Sequence, residues 1–177
     1  MALINTTTTG VLGSTFFADG TGPLNIQQNG VTLGTYGNIP AFSAYKSANQ
    51  TGTASSTFTK VTFNVEEFDT NSNYDTSTSR FTPTVAGYYQ FNWQLDIGGV
   101  STSLNLCDIY KNGVRQKRSS GISVTNGESY VNGAALIYLN GTTDYTELYV
   151  YISGAGATVY GTQIEYSWFQ GILVKAA

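Results

Sequence analysis

The chain has no histidine and one cysteine in 177 residues, and each scarcity closes off chemistry. Without histidine there is no Ser-His-Asp set, and the commonest general base and zinc ligand are both missing. A lone cysteine rules out an intrachain disulfide framework. Cys107 sits in the apolar run LNLCDIY, so a buried, inert thiol is expected rather than a nucleophile. Charge is scarce too: Asp, Glu, Lys and Arg make up 11% of the chain. The surface must then be kept wet by Thr, Ser and Asn, residues that also suit strands and turns. The net charge of −3 argues against nucleic acid as a partner. No apolar run approaches the ~20 residues of a membrane span. The opening MALINTTTTG has neither a basic nor an apolar segment, so no export signal is expected.

What is present is alternation. From Tyr89 to Ile97, Tyr89, Phe91, Trp93, Leu95 and Ile97 fall on one face, and Gln90, Asn92, Gln94 and Asp96 on the other. Period two marks a strand with one buried face. Pro83 and Gly87 punctuate its start. No amphipathic helix is expected. The longest window free of Gly and Pro, Thr53–Thr82, is crowded with Thr, Ser and Asn, which disfavour helix interiors.

Further strands are predicted at Phe42–Ser47, Phe58–Phe68, Leu104–Tyr110, Gly121–Val124, Val131–Leu139, Tyr145–Ile152 and Glu165–Val174. Turns are predicted between them at Lys111-Asn112-Gly113, Asn126-Gly127, Asn140-Gly141 and Gly154-Ala155-Gly156. Many short strands at this spacing predict an all-β fold, a sandwich or jelly roll. Its core should hold Phe91, Trp93, Leu95, Phe169 and Leu173, with Val61, Phe63, Leu148 and Val150 beside or across from them.

Residues 1–38 differ in texture: Gly- and Thr-rich, with apolar residues singly or in pairs and short strands expected around Val11–Phe17 and Leu24–Leu33. So short a segment cannot bury a core of its own. It reads as an N-terminal arm, with residues 39–177 as the domain. Leu3, Ile4, Val11, Leu12, Phe16, Phe17, Leu24 and Ile26 are its candidate attachment residues.

The terminal segment EYSWFQGILV places Phe169, Gly171 and Leu173 on one face and Tyr166, Trp168, Ile172 and Val174 on the other. Both faces are apolar, which predicts a subunit contact on the side away from the core. Tyr149 and Tyr151 lie opposite the inward set Leu148, Val150 and Ile152 and extend the pattern. Tyr149, Tyr151, Tyr166, Trp168 and Ile172 are therefore the candidate interface residues.

Lys111, Arg115, Lys117 and Arg118 are four of the eight basic residues, gathered in one hairpin and the segment after it. They read as a solvated loop or as a docking patch for an acidic partner, sugar acid or phosphate. The acidic run Glu66, Glu67, Asp69 and Asp75 fits a solvated loop about as well as a metal site. Asp96, Asp108, Asp144 and Glu147 are the candidate carboxylates for paired glycoside chemistry, but they are scattered in sequence. There is no phosphate-binding glycine loop. No enzyme, cofactor or resident metal is expected.

Five segments, in order, resemble a known family. Ala41–Ala44 (AFSA) looks like its opening strand. FNVEEFD, followed by Ser79-Arg80-Phe81-Thr82, is similar to a strand, a loop and then "G-x-F-T". Val85-Ala86-Gly87-Tyr88-Tyr89-Gln90-Phe91 matches "P-G-x-Y-x-F", and Tyr110-Lys111-Asn112-Gly113 the "x-x-N-G" hairpin. Trp168-Phe169-Gln170-Gly171-Ile172-Leu173 is similar to "F-x-G-x-L". The stretch from Ala41 to Val174 thus resembles the C1q-like domain, the trimeric jelly roll shared with the tumour necrosis factor superfamily. Ser79 stands where that family usually has Gly, and no collagen-like Gly-x-y stem precedes residue 41.

The resemblance implies a homotrimer. With a short arm and no stem or export signal, it points to a bacteriophage virion surface protein. The expected role is a capsid decoration, or cement, protein on the outer surface of the capsid, bound through its arm to the major capsid protein. The alternative is a tail-fibre tip or lectin-like head that recognises a host glycan. Fibre heads usually follow a long repetitive shaft, and only about 38 residues precede this domain, which favours decoration.

Overall fold

A computed structural model of the chain describes residues 24–28, 31–36, 39–154 and 156–177. The chain divides into two compact units, Met1–Gly37 and Asn38–Ala177. In the first, β1 (Leu24–Gln28) pairs antiparallel with β2 (Val31–Tyr36). The single strand expected over Leu24–Leu33 is instead a hairpin. Asn29-Gly30, the same dipeptide that marks hairpins elsewhere in this chain, stands between its two halves. The strand expected around Val11–Phe17 lies outside the described residues.

The second unit is an all-β sandwich. Its strands are β3 (Ala41–Tyr45), β4 (Thr59–Lys60), β5 (Val65–Asp69), β6 (Tyr74–Asp75), β7 (Arg80–Phe81), β8 (Gly87–Lys111) and β9 (Val114–Arg118). They continue with β10 (Ile122–Leu139), β11 (Thr146–Ile152), β12 (Thr158–Val159) and β13 (Trp168–Ala176). There is no α-helix among the described residues, and so none long and apolar enough to cross a membrane.

Strand β8 belongs to both sheets. Its first half pairs with β13 and with the second half of β10. With β3 and β5 beyond β13, these form the front sheet. Its second half pairs with β11 and β9, and these with β4 form the back sheet. Two strands were expected where β8 is one, and two where β10 is one. Both carry glycine at the change of sheet: Gly99 has φ +82° and Gly127 φ +137°, values that L-residues rarely adopt. Asn126-Gly127 is therefore not a hairpin. It lies at a bulge inside β10, where the register slips between Gly127 and Ser129. The expected strand Phe58–Phe68 is likewise split into β4 and β5. The Asn112-Gly113 hairpin is present, with both residues at positive φ.

The alternating face of β8 is the core. Tyr89, Phe91, Trp93, Leu95 and Ile97 are all buried, with Phe42, Val61, Phe63, Phe81, Leu148, Val150 and Phe169. Burying each large aromatic contributes on the order of 2–3 kcal/mol. Leu173 is only partly buried at the rim. The strands on either side of β8 make room for its largest rings by lacking a side chain. Gly133 lies opposite Trp93 and Gly171 opposite Phe91; a Cβ would stand 2.3 Å and 2.7 Å from those rings.

Ser79 has φ +49°, a left-handed conformation in which glycine is usual. Its buried hydroxyl accepts a hydrogen bond from the Phe63 N–H at 2.9 Å and reaches the Phe63 carbonyl at 3.3 Å. That accounts for serine at a position where a glycine is common. Ser79→Ala keeps the strain and orphans a buried N–H, so a loss of about 1–3 kcal/mol is expected in denaturant titration. Ser79→Gly, which relieves the strain, is expected to lose less.

Candidate binding faces

The sandwich leaves two outer faces. On the front sheet, the outward residues of β8, β10 and β13 run in rows across the strands. Tyr138 pairs with Tyr88, their rings 5.5 Å apart, and Leu136, Gln90 and Ile172 share the next row. Ala134, Asn92 and Gln170 follow, then Asn132, Gln94 and Trp168. Lys175 of β13 lies beside Tyr88 and Lys111 Nζ lies 5.6 Å from the Tyr138 ring, so cations edge this first row; the three rows between it and Asp96 carry no charge. Leu136 is 52% exposed and Ile172 46%. A shallow hollow of about 210 Å³ opens on this face beside Phe68, Gln170 and Ile172. Aromatic and aliphatic groups among neutral amides, without charge, have the composition of an interface core.

Asp96 closes that face beside Tyr130, with Glu128 near by. Its side chain is buried and its Oδ1 has no hydrogen-bond partner. Burial first, and the negative charge of Glu128 second, push its carboxyl up to about 6, against a hydrogen bond from Tyr130.

The back sheet presents the opposite chemistry. Phe58, Tyr110, Tyr149 and Tyr151 form one aromatic chain. Ring centroids are 4.3 Å apart for Tyr110–Tyr149, 6.2 Å for Phe58–Tyr110 and 5.2 Å for Phe58–Tyr151. At one end buried Glu147 accepts from Lys60 Nζ at 2.5 Å and Arg80 Nε at 2.9 Å. Burial pushes the Glu147 carboxyl up, but these two cations outweigh it and hold it below the usual carboxylate range. At the other end buried Asp108 meets Arg118 at 3.2 Å and Arg115 at 3.5 Å. Both of these guanidiniums lie 5.7 Å from the Phe58 ring, and that of Arg80 lies 4.1 Å from the Tyr145 ring.

The structure therefore divides the expected interface residues. Trp168 and Ile172 are on the front face, with Tyr166 near Tyr130 at its end. Tyr149 and Tyr151 are on the back face, in the aromatic chain. It divides the basic cluster too. Arg115 and Arg118 converge on Asp108, while Lys111 pairs with Asp144 at 2.7 Å and donates to the Tyr138 carbonyl. Lys117 alternates to the other side of β9. Lys60, Arg80, Glu147, Phe58 and Tyr110, absent from the expected patch, belong to it. Of the expected attachment residues, Leu24 and Ile26 lie on β1; Leu3, Ile4, Val11, Leu12, Phe16 and Phe17 are outside the described residues.

Asp96, Asp108, Asp144 and Glu147 do not form the pair that glycoside chemistry needs. Asp108, Asp144 and Glu147 are each bound to their own cations, and Asp96 lies on the other sheet. In the acidic run, Asp69 accepts from the Asn71 and Tyr74 N–H groups. Asp75 is held near 2 by the Ser77 and Thr78 hydroxyls and the Ser77 N–H. These are turn caps, and no group of three metal-ligating side chains occurs among the described residues. Cys107 is fully buried and its thiol is pushed well up by burial. Lys46 is a buried cation that the sequence did not flag. Burial lowers it to about 8, and it donates to the Thr62 carbonyl at 2.7 Å and to Gln50 at 3.2 Å.

The C1q domain family matches residues 41–174, and the chain belongs to that family. Among solved structures it is similar to the globular domain of the zebrafish complement 1qA protein, at 20% identity and TM-score 0.53, covering 78% of this chain and 99% of that one. It is similar to murine APRIL at pH 5.0, at 11% identity and TM-score 0.58, covering 77% and 99%. The Eiger TNF of S. frugiperda matches at 12% identity and TM-score 0.55, covering 80% and 96%. No curated protein matches. The family's domains are binding and structural modules rather than enzymes, and proteins of this fold typically form homotrimers.

One titration follows from Asp96. An ordinary Asp titrates near 3.9. A folded value near 6 means that the native state holds the proton longer. Stability then falls as pH rises from about 4 to about 6. Asp96→Asn removes this dependence. Thermal melts of the two proteins should show the variant gaining on the wild type between pH 4.5 and pH 7; a constant difference would contradict the assignment.

Proposed function

We propose that this protein is a homotrimeric virion structural protein, a capsid decoration module of the C1q class. Its domain trimerises through the front sheet, and its N-terminal unit attaches it to the major capsid protein on the outer surface of the shell. The observation that carries the trimer is the outer face of β8, β10 and β13, whose three middle rows carry no charge. Tyr88, Leu136, Tyr138 and Ile172 leave there more apolar surface than a monomer needs to expose. A charge placed in such a contact must be desolvated without a partner. Leu136→Asp and Ile172→Asp should therefore sediment as folded monomers at micromolar concentration while the wild type sediments as a trimer. A monomeric wild type would refute the reading.

The attachment role rests on the arm forming a compact unit of its own, with the strand pair β1 and β2. Strands in such a segment can add to the sheet edges of a neighbour, with main-chain hydrogen bonds giving affinity and alternate side chains giving register. Deleting residues 2–35 should leave a folded trimer that no longer binds expanded capsids. Normal binding by the truncated protein would move attachment to the domain.

A further inference from the structure

We propose that the outer face of the back sheet is a binding site for an acidic polysaccharide, one built of carboxylated sugars. The site is the aromatic chain Phe58, Tyr110, Tyr149 and Tyr151 together with the cations at its two ends.

The charge balance comes first. Lys60, Arg80, Arg115 and Arg118 face two carboxylates, Glu147 and Asp108. Each carboxylate is buried and holds two cations, so this face carries an excess of two positive charges on a chain whose net charge is −3. The guanidinium side chains are 38%, 49% and 46% exposed for Arg80, Arg115 and Arg118. Their anchoring fixes them in place, and donors left on the solvent side match a carboxylate's two oxygens. A cation already held by a neighbour loses less side-chain freedom when it binds.

The rings come second. They lie half-buried between the two cation clusters, so an apolar surface connects one positive site to the other. A pyranose offers complementary features: a C–H face for an aromatic ring and an equatorial carboxylate for a guanidinium. An acidic peptide fits less well. Extended peptides dock by adding to an unpaired strand edge. This site lies across the middle of a sheet, where β11 pairs on both sides with β8 and β4.

The site makes no use of the arm or of the front face, so its test does not depend on the virion reading. The full-length protein is titrated with polygalacturonate, with neutral dextran and with poly-L-glutamate at a fixed moderate salt concentration. Polygalacturonate should bind, more weakly as salt rises, and the other two should not. The variant R80Q/R115Q removes the excess charge yet leaves Glu147 with Lys60 and Asp108 with Arg118. It should keep its melting temperature and weaken polygalacturonate binding at least tenfold. Phe58→Ala should weaken it by a similar factor while all the charges remain. The proposal is overturned if polygalacturonate does not bind, if poly-L-glutamate binds equally well, or if either folded variant binds like the wild type.

Discussion

Everything in the sandwich is arranged around the inward rings of β8, above all Phe91 and Trp93. They are too large for a sheet whose neighbours also point bulky groups at the same place. The fit exists because Gly133 and Gly171 stand opposite them on the flanking strands, with no side chain to compete. Phe42, Phe81 and Phe169 then close around Phe91 at centroid distances of 5.7–6.4 Å. Register follows from this packing. A slip of one residue would put the indole against a neighbouring side chain and turn Gln90, Asn92 and Gln94 into the core.

That constraint also determines what is left outside. With the aromatic set inward, β8 must present amides and Tyr88 on the front face, and Asp108 and Tyr110 on the back face. The two faces differ because each recruits different neighbours. The front draws Leu136, Tyr138 and Ile172, with Lys111 and Lys175 at its Tyr88–Tyr138 edge. The back draws Arg115 and Arg118 from β9, Lys60 from β4 and Glu147 from β11.

Much of the fold was legible because it is written in local pattern. The alternation from Tyr89 to Ile97 and the Lys111-Asn112-Gly113 turn need only adjacent residues to be recognised. Asn126-Gly127 misled because the dipeptide is equally suited to a turn and to a bulge. What decides between them is that both flanks of β10 pair with the same strand, and nothing near residue 126 records that. The binding faces were legible in part. Arg115 and Arg118 are close in sequence, and so was their cluster. Lys60 and Arg80 lie 87 and 67 residues before Glu147, and only the pairing of β4 and β7 with β11 brings them together. Tyr149 and Trp168 share an outward, aromatic signature, but alternation cannot say on which sheet an outward residue lies.

The place of β13 has a consequence for synthesis. It lies between β3 and β8 in the front sheet, yet it is the last of the domain's strands to leave the ribosome. Until then β3 and β5 have no partner that ties them to β8, and Phe42 lacks the Phe169 ring that meets it edge-on at 5.0 Å. Until β13 emerges, the nascent domain holds two open strand edges and an uncovered aromatic cluster. Such edges invite pairing with other chains. Closure therefore waits for β13, and a slow elongation rate would lengthen the vulnerable interval rather than guide the fold.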